Sequence, residues 1–136
     1  MQEPRKNLHP TLPPEERRRL FWEGIDLFNR GEFFASHESW EEIWRSTTPE
    51  PRDLFQGMIQ VAAAMHQFLG LNRPIAPIRT LGKAKRRLEP FAPASHGVDV
   101  EDLLRSVRRW QDWLAAPAGE RPPVPVLRVL DPSAVG

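Results

Sequence analysis

Apolar residues recur with a helical period along most of the chain, and prolines and glycines cut that pattern into segments. In "EERRRLFWEGIDLFNRG", Leu20, Ile25, Leu27 and Phe28 gather toward one face. The spacing predicts a helix over about 14–30. Pro13 and Pro14 suit its start, Glu15 and Glu16 its N-terminal dipole, and Gly31 its end. A second helix is expected over about 33–46, stopped by "STTPEP". A third, over about 51–70, is apolar almost all round: Leu54, Phe55, Met58, Ile59, Val61, Ala62 to Ala64, Met65 and Phe68. A helix of that kind is buried on most sides, so it should be the central one, touching at least three others. A fourth runs from near Pro74, with Pro77 in its first turn, and stops before Pro90. Asp99 can cap a fifth over about 100–115.

Residues 1–13 read as a disordered lead-in, "PFAPASHG" as a loop, and 116–136 as a proline-rich extended tail. No strand pattern stands out in 14–115. The expected fold is therefore all-α, a single-domain bundle of about five helices over 14–115 with one helix surrounded by the others. A weak internal repeat supports two helical hairpins of one design. At an offset of 41, Phe28, Gly31, Ala35 and Ile43 align with Leu69, Asn72, Ala76 and Ala84. Gly31 and Asn72 both accept a left-handed conformation at a helix end. Two hairpins fall short of a solenoid.

Composition narrows the function classes. Of 136 residues, 40% are hydrophobic and 27% charged, as in soluble domains, and the net charge of +1 creates no global pull toward nucleic acid or membrane. With no cysteine, thiolate chemistry, disulfides and cysteine metal sites are excluded. The first residues lack the apolar core of a secretory signal. The longest apolar run, Met58 to Leu71, is broken by Gln60, His66 and Gln67 and is too short to span a bilayer. A cytoplasmic address is the expectation.

The candidate chemistry lies in "FFASHESWEEIWR", residues 33–45. His37 and Glu41 stand one turn apart on one face, with Trp44 beside them, and Glu38 and Glu42 should be mainly solvated. An imidazole over a carboxylate can offer two ligands to a divalent metal, or the carboxylate can orient the imidazole for proton transfer. Two ligands are too few for a catalytic zinc, and neither the H-E-x-x-H pattern nor paired E-x-x-H is present. The third ligand would be His66 on helix three. Gln56, Gln60 and Gln67 make a polar stripe there, and a buried amide without a partner costs on the order of 1–3 kcal/mol. The expected cluster is thus His37, Glu41, Gln60 and His66, walled by Trp44. His37, Glu41 and His66 are its metal candidates. The plainer reading is a structural seam in a helical-hairpin interaction module. No reaction is specified by this arrangement. His9 and His96 fall in loops, and the five tryptophans read as core and interface anchors.

These residues resemble the Domain of Unknown Function 309 family over about Phe21 to Leu88. Its H-x-x-x-E-x-x-W signature is here His37, Glu41 and Trp44. "RDLFQGMIQVAAAMHQFLGLN" is similar to its second block, with Gln56, Gly57, Gln60, His66 and Asn72. The resemblance implies an all-helical bundle with one enclosed helix and a motif associated with metal binding, with no activity assigned. Pro74 and Ile75 depart from it, where a small residue is expected. A basic stripe, Arg79, Lys83 and Arg87 with Lys85, Arg86 and Arg73, has no interleaved aromatics. Arg105, Arg108 and Arg109 extend it. It reads as a solvated face, giving only weak, salt-dependent binding of nucleic acid without sequence preference. The partner is expected to be a small ligand or another protein.

Overall fold

The apolar circumference of residues 54–69 organises the chain. In a computed structural model, which describes residues 12–46 and 51–135, the helices are α1 (Pro14–Asn29), α2 (Phe33–Arg45), α3 (Arg52–Met65), α4 (Ala76–Leu88) and α5 (Val100–Ala115). The fold is the all-α bundle that the pattern predicts. The proposed lead-in, residues 1–13, lies outside the described residues except for Leu12 and Pro13. Nine of the 14 residues of α3 are buried, including Met58, Val61 and Met65. That leaves no long exposed apolar face, and α3 packs against three helices. Phe55 meets Phe21 of α1 edge-on, with ring centroids 5.1 Å apart. The Arg52 guanidinium lies 4.6 Å from the Trp44 ring of α2. Gly57 is so close to Leu88 of α4 that an added Cβ would fall 2.7 Å from its Cγ. α5 packs on α4, and its Trp110 and Trp113 close an edge-to-face cluster with Phe68.

The helix ends follow local chemistry. The Asp99 side chain accepts from Asp102 N at 2.9 Å and caps α5. Gly31 and Asn72 have φ of 81° and 55°, so both members of the aligned pair turn the chain through the left-handed region. Three features depart from the pattern. The third helix does not stay α-helical to residue 70. It widens into a π turn over His66–Gly70, where Leu71 N donates to His66 O at 3.0 Å. The stretch read as a loop holds a short hairpin, Ala94–Ser95 against Val98–Asp99. His96 and Gly97, with φ of 51° and 82°, make its two-residue turn, as hairpin twist demands.

The tail is extended, and it is also packed. Leu127 and Val135 are each 2% exposed within the main core. Asn29 grips Leu127 from both sides of one amide. Its Nδ2 donates to Leu127 O at 3.0 Å, and its Oδ1 accepts from Leu127 N at 2.7 Å. Trp110 Nε1 donates to Pro123 O at 2.8 Å, and Val129 bridges Val98 of the hairpin. Ending the chain after Ala116 should therefore lower stability by several kcal/mol, because two buried apolar side chains each contribute roughly 1.5–3 kcal/mol. Denaturant melts of the two lengths check this; coincident curves would contradict it.

Two glycines offer a second check. A Cβ on Gly24 would overlap the indole of Trp40. Gly31 faces open space but has φ of 81°. Gly24→Ala should cost about 1–3 kcal/mol through overpacking. Gly31→Ala should cost about 1–2 kcal/mol through backbone strain alone. A ring-current shift of Trp40 neighbours should accompany the first and be missing from the second.

Candidate functional site

The buried face of α2 fixes where its polar residues go. Phe33, Ser36, Trp40 and Ile43 point into the core. At 3.6 residues per turn, His37, Glu41 and Phe34 then lie roughly 60–120° round from Trp40, on the flank. Glu38 lies on the far side and is exposed. Glu42 is half-buried and engaged, not mainly solvated as the spacing suggests.

On that flank the Glu41 carboxylate is taken from both sides. His37 Nε2 stands 3.1 Å from Oε2, and Arg45 donates to Oε1 at 2.7 Å. A carboxylate only accepts, so at this ion-pair distance a proton on Nε2 is the tautomer of His37 that answers it. In the neutral ring Nδ1 then keeps its lone pair. That atom is buried and has no hydrogen-bond partner.

His37 and His66 meet at one groove of about 200 Å³, lined by Phe34, His37, Ala63, His66, Gln67, Leu71 and Arg73. The Phe34 ring touches both imidazoles, with centroids 6.1 Å from His37 and 5.1 Å from His66. Phe34 is 53% exposed, an unusual state for a large aromatic side chain. The π turn supplies the opposite wall. His66 folds back over Gly70, where an added Cβ would lie 2.7 Å from its Nδ1. The Thr80 hydroxyl of α4 donates to Gln67 Oε1 at 2.9 Å and steadies that side chain. Arg73 has neither a hydrogen bond nor an ion pair from its side chain among the described residues.

The expected cluster is therefore assembled only in part. His37 and His66 share the groove, and Glu41 supports His37 from outside it. Gln60 does not line the groove; its Oε1 is buried without a partner among the described residues. Trp44 is not a wall of the groove either, but lies under the Arg52 guanidinium. Among the described residues no three His, Asp or Glu side chains come together to hold a metal ion. Of the expected ligand set, His37 and His66 line the groove, while Glu41 stands outside it between His37 and Arg45.

Phe34, Gln67, Leu71 and Arg73 line the groove beyond the residues that the sequence pattern singles out for the site. Phe34 left a signal in the sequence. Phe33 and Phe34 are adjacent, and 100° apart on a helix they cannot both enter the core. Arg73 left none, since its place depends on the turn that follows the π segment. His96 is at the hairpin turn, with Nδ1 2.8 Å from Ser95 Oγ. The basic residues Arg79, Lys83, Arg86 and Arg87 of α4 are exposed, and Arg87 pairs with Asp53 at 2.8 Å.

The orphaned amide of Gln60 gives a direct test. Gln60→Met keeps the length and removes the unpaired acceptor, so stability should hold or rise by about 1 kcal/mol. A thermal melt reads it; a loss above about 1 kcal/mol would mean that Gln60 has a partner in solution.

No curated protein matches the chain. A family model does, over residues 21–76, and its description is Domain of unknown function (DUF309). The matched segment runs from α1 into the first residue of α4. It contains every side chain that lines the groove, while α5 and the tail lie beyond it. Residues 21–76 thus match the model of this family of unknown function, and the groove lies inside the matched segment.

Proposed function

We propose that the protein is a binding module whose groove between α2 and the π turn holds a small polar ligand. The observation that carries this is the pairing of two imidazoles across one open groove, with the exposed Phe34 ring set against both of them. The π turn adds support, since such turns recur at functional sites. At about 200 Å³ the groove is smaller than the 300–1,000 Å³ typical of drug-sized ligands, so the ligand is small. No metal is part of this reading, because the donor set does not converge.

A protein partner is the second reading. Ile75 is 76% exposed and Leu71 46% exposed, both at the groove end of the bundle. The two readings separate at Ile75, which does not line the groove. Ile75→Asp should leave small-ligand binding unchanged and abolish docking of a protein.

The test is a fragment screen on the uniformly labelled full chain, followed by amide and imidazole NMR shifts. Hits should move Phe34, His37, Ala63, His66, Gln67, Leu71 and Arg73 together. Gly70→Ala, which pushes the His66 ring out of place, should weaken every hit while the rest of the spectrum stays folded. Fragments that scatter over the surface, or that ignore Gly70→Ala, would count against a ligand groove.

A further inference from the structure

We infer that the ligand of this groove is an oxyanion, a carboxylate or phosphate, joined to a small apolar body; this rests on reading the groove as a binding site. The argument is one of donors and acceptors. No carboxylate lines the groove. Glu41, the nearest acid in the motif, is held by His37 and Arg45 and does not line it. Glu38 is on the far side of α2. What remains is mostly donors. Arg73 brings a guanidinium with no protein carboxylate to answer it, among the described residues. Gln67 has its oxygen occupied by Thr80, which leaves its NH₂ to donate. The His66 side chain makes no hydrogen bond among the described residues and can donate through a ring N–H. A ligand rich in acceptors and negative charge is the complement of that set, and a fork of guanidinium N–H groups suits an oxyanion.

The apolar half follows from the other lining residues. Phe34, Ala63 and Leu71 present hydrocarbon beside the donors. Phe34 and Leu71 remain 53% and 46% exposed, so a flat or short apolar group laid against them would remove apolar surface from water.

Calorimetry and NMR shifts on the full chain test this with four probes of one size: benzoate, phenyl phosphate, benzyl alcohol and benzylamine. Inorganic phosphate is the fifth. Benzoate or phenyl phosphate should bind at the groove, and which of them binds tighter identifies the oxyanion. Benzyl alcohol and benzylamine should bind at least tenfold more weakly. Arg73→Met should weaken the anionic probe by about tenfold or more, the usual scale for a charge-assisted hydrogen bond. Arg73 is exposed on a turn, so its variant should melt with the wild type. Benzylamine or benzyl alcohol binding as tightly in the same groove would overturn the oxyanion while leaving the groove standing. So would an Arg73→Met protein with undiminished affinity for benzoate. Inorganic phosphate binding as tightly as phenyl phosphate would overturn the apolar body. If none of the five shifts a groove residue while the fragment screen finds other hits there, the oxyanion reading alone fails. If the screen finds none either, the binding module itself fails.

Discussion

The seating of Trp40 against α1 sets the geometry of everything that follows. Its indole is fully buried and fills the space that Gly24 leaves open. Its Nε1 donates to Phe21 O at 3.2 Å, and its ring meets Phe28 at 5.5 Å. An indole so held can neither slide nor turn, so α2 has one rotation about its axis. Close-packed interiors leave no room for a compromise rotation. Once Trp40 points inward, His37 and Glu41 must stand on the flank and Glu38 must face water. The positions of the motif are thus a consequence of core packing, not an independent arrangement.

That rotation also decides the electrostatics. Glu41 could have faced the groove, where it would have repelled an anion and offered a metal ligand. It is instead bracketed by residues four before and four after it, the spacing at which helix side chains meet. His37 and Arg45 take one oxygen each. Both contacts are half-exposed, so their worth in stability is small. Their worth in specificity is larger, because they remove the acid and leave the groove to imidazole, amide and guanidinium. The π turn completes the arrangement from the other side by bringing His66 and Gln67 to the same wall.

Much of this was legible in the sequence. The five helices, the Asp99 cap and the left-handed turns at Gly31 and Asn72 follow from local chemistry. The burial of α3 follows from composition alone. His66 stood out as a polar residue on an otherwise apolar helix, and His37 by its one-turn spacing from Glu41. What escaped depends on long-range or backbone detail. A π turn has no side-chain signature, so helix three looked uniform to residue 70. The strands of the hairpin are two residues each, too short for an alternating pattern. The packing of the tail hangs on an amide–backbone contact between Asn29 and Leu127, 98 residues apart in sequence. The i,i+4 spacing of Glu41 and Arg45 was plain in the sequence, and it is this pairing that holds Glu41 outside the groove. Gln60 and Trp44 sit on the right helices, but their side chains leave the groove.

The central claim is that His37 commits its Nε2 proton to Glu41 and keeps an unshared pair on a buried Nδ1. Long-range nitrogen–proton NMR correlations report the tautomer of each histidine ring directly. For His37, at a pH where the ring is neutral, the account predicts the Nε2–H form, with Nδ1 resonating as an unprotonated nitrogen. A neutral His37 carrying its proton on Nδ1 would contradict it, because Glu41 would then have no donor from this ring.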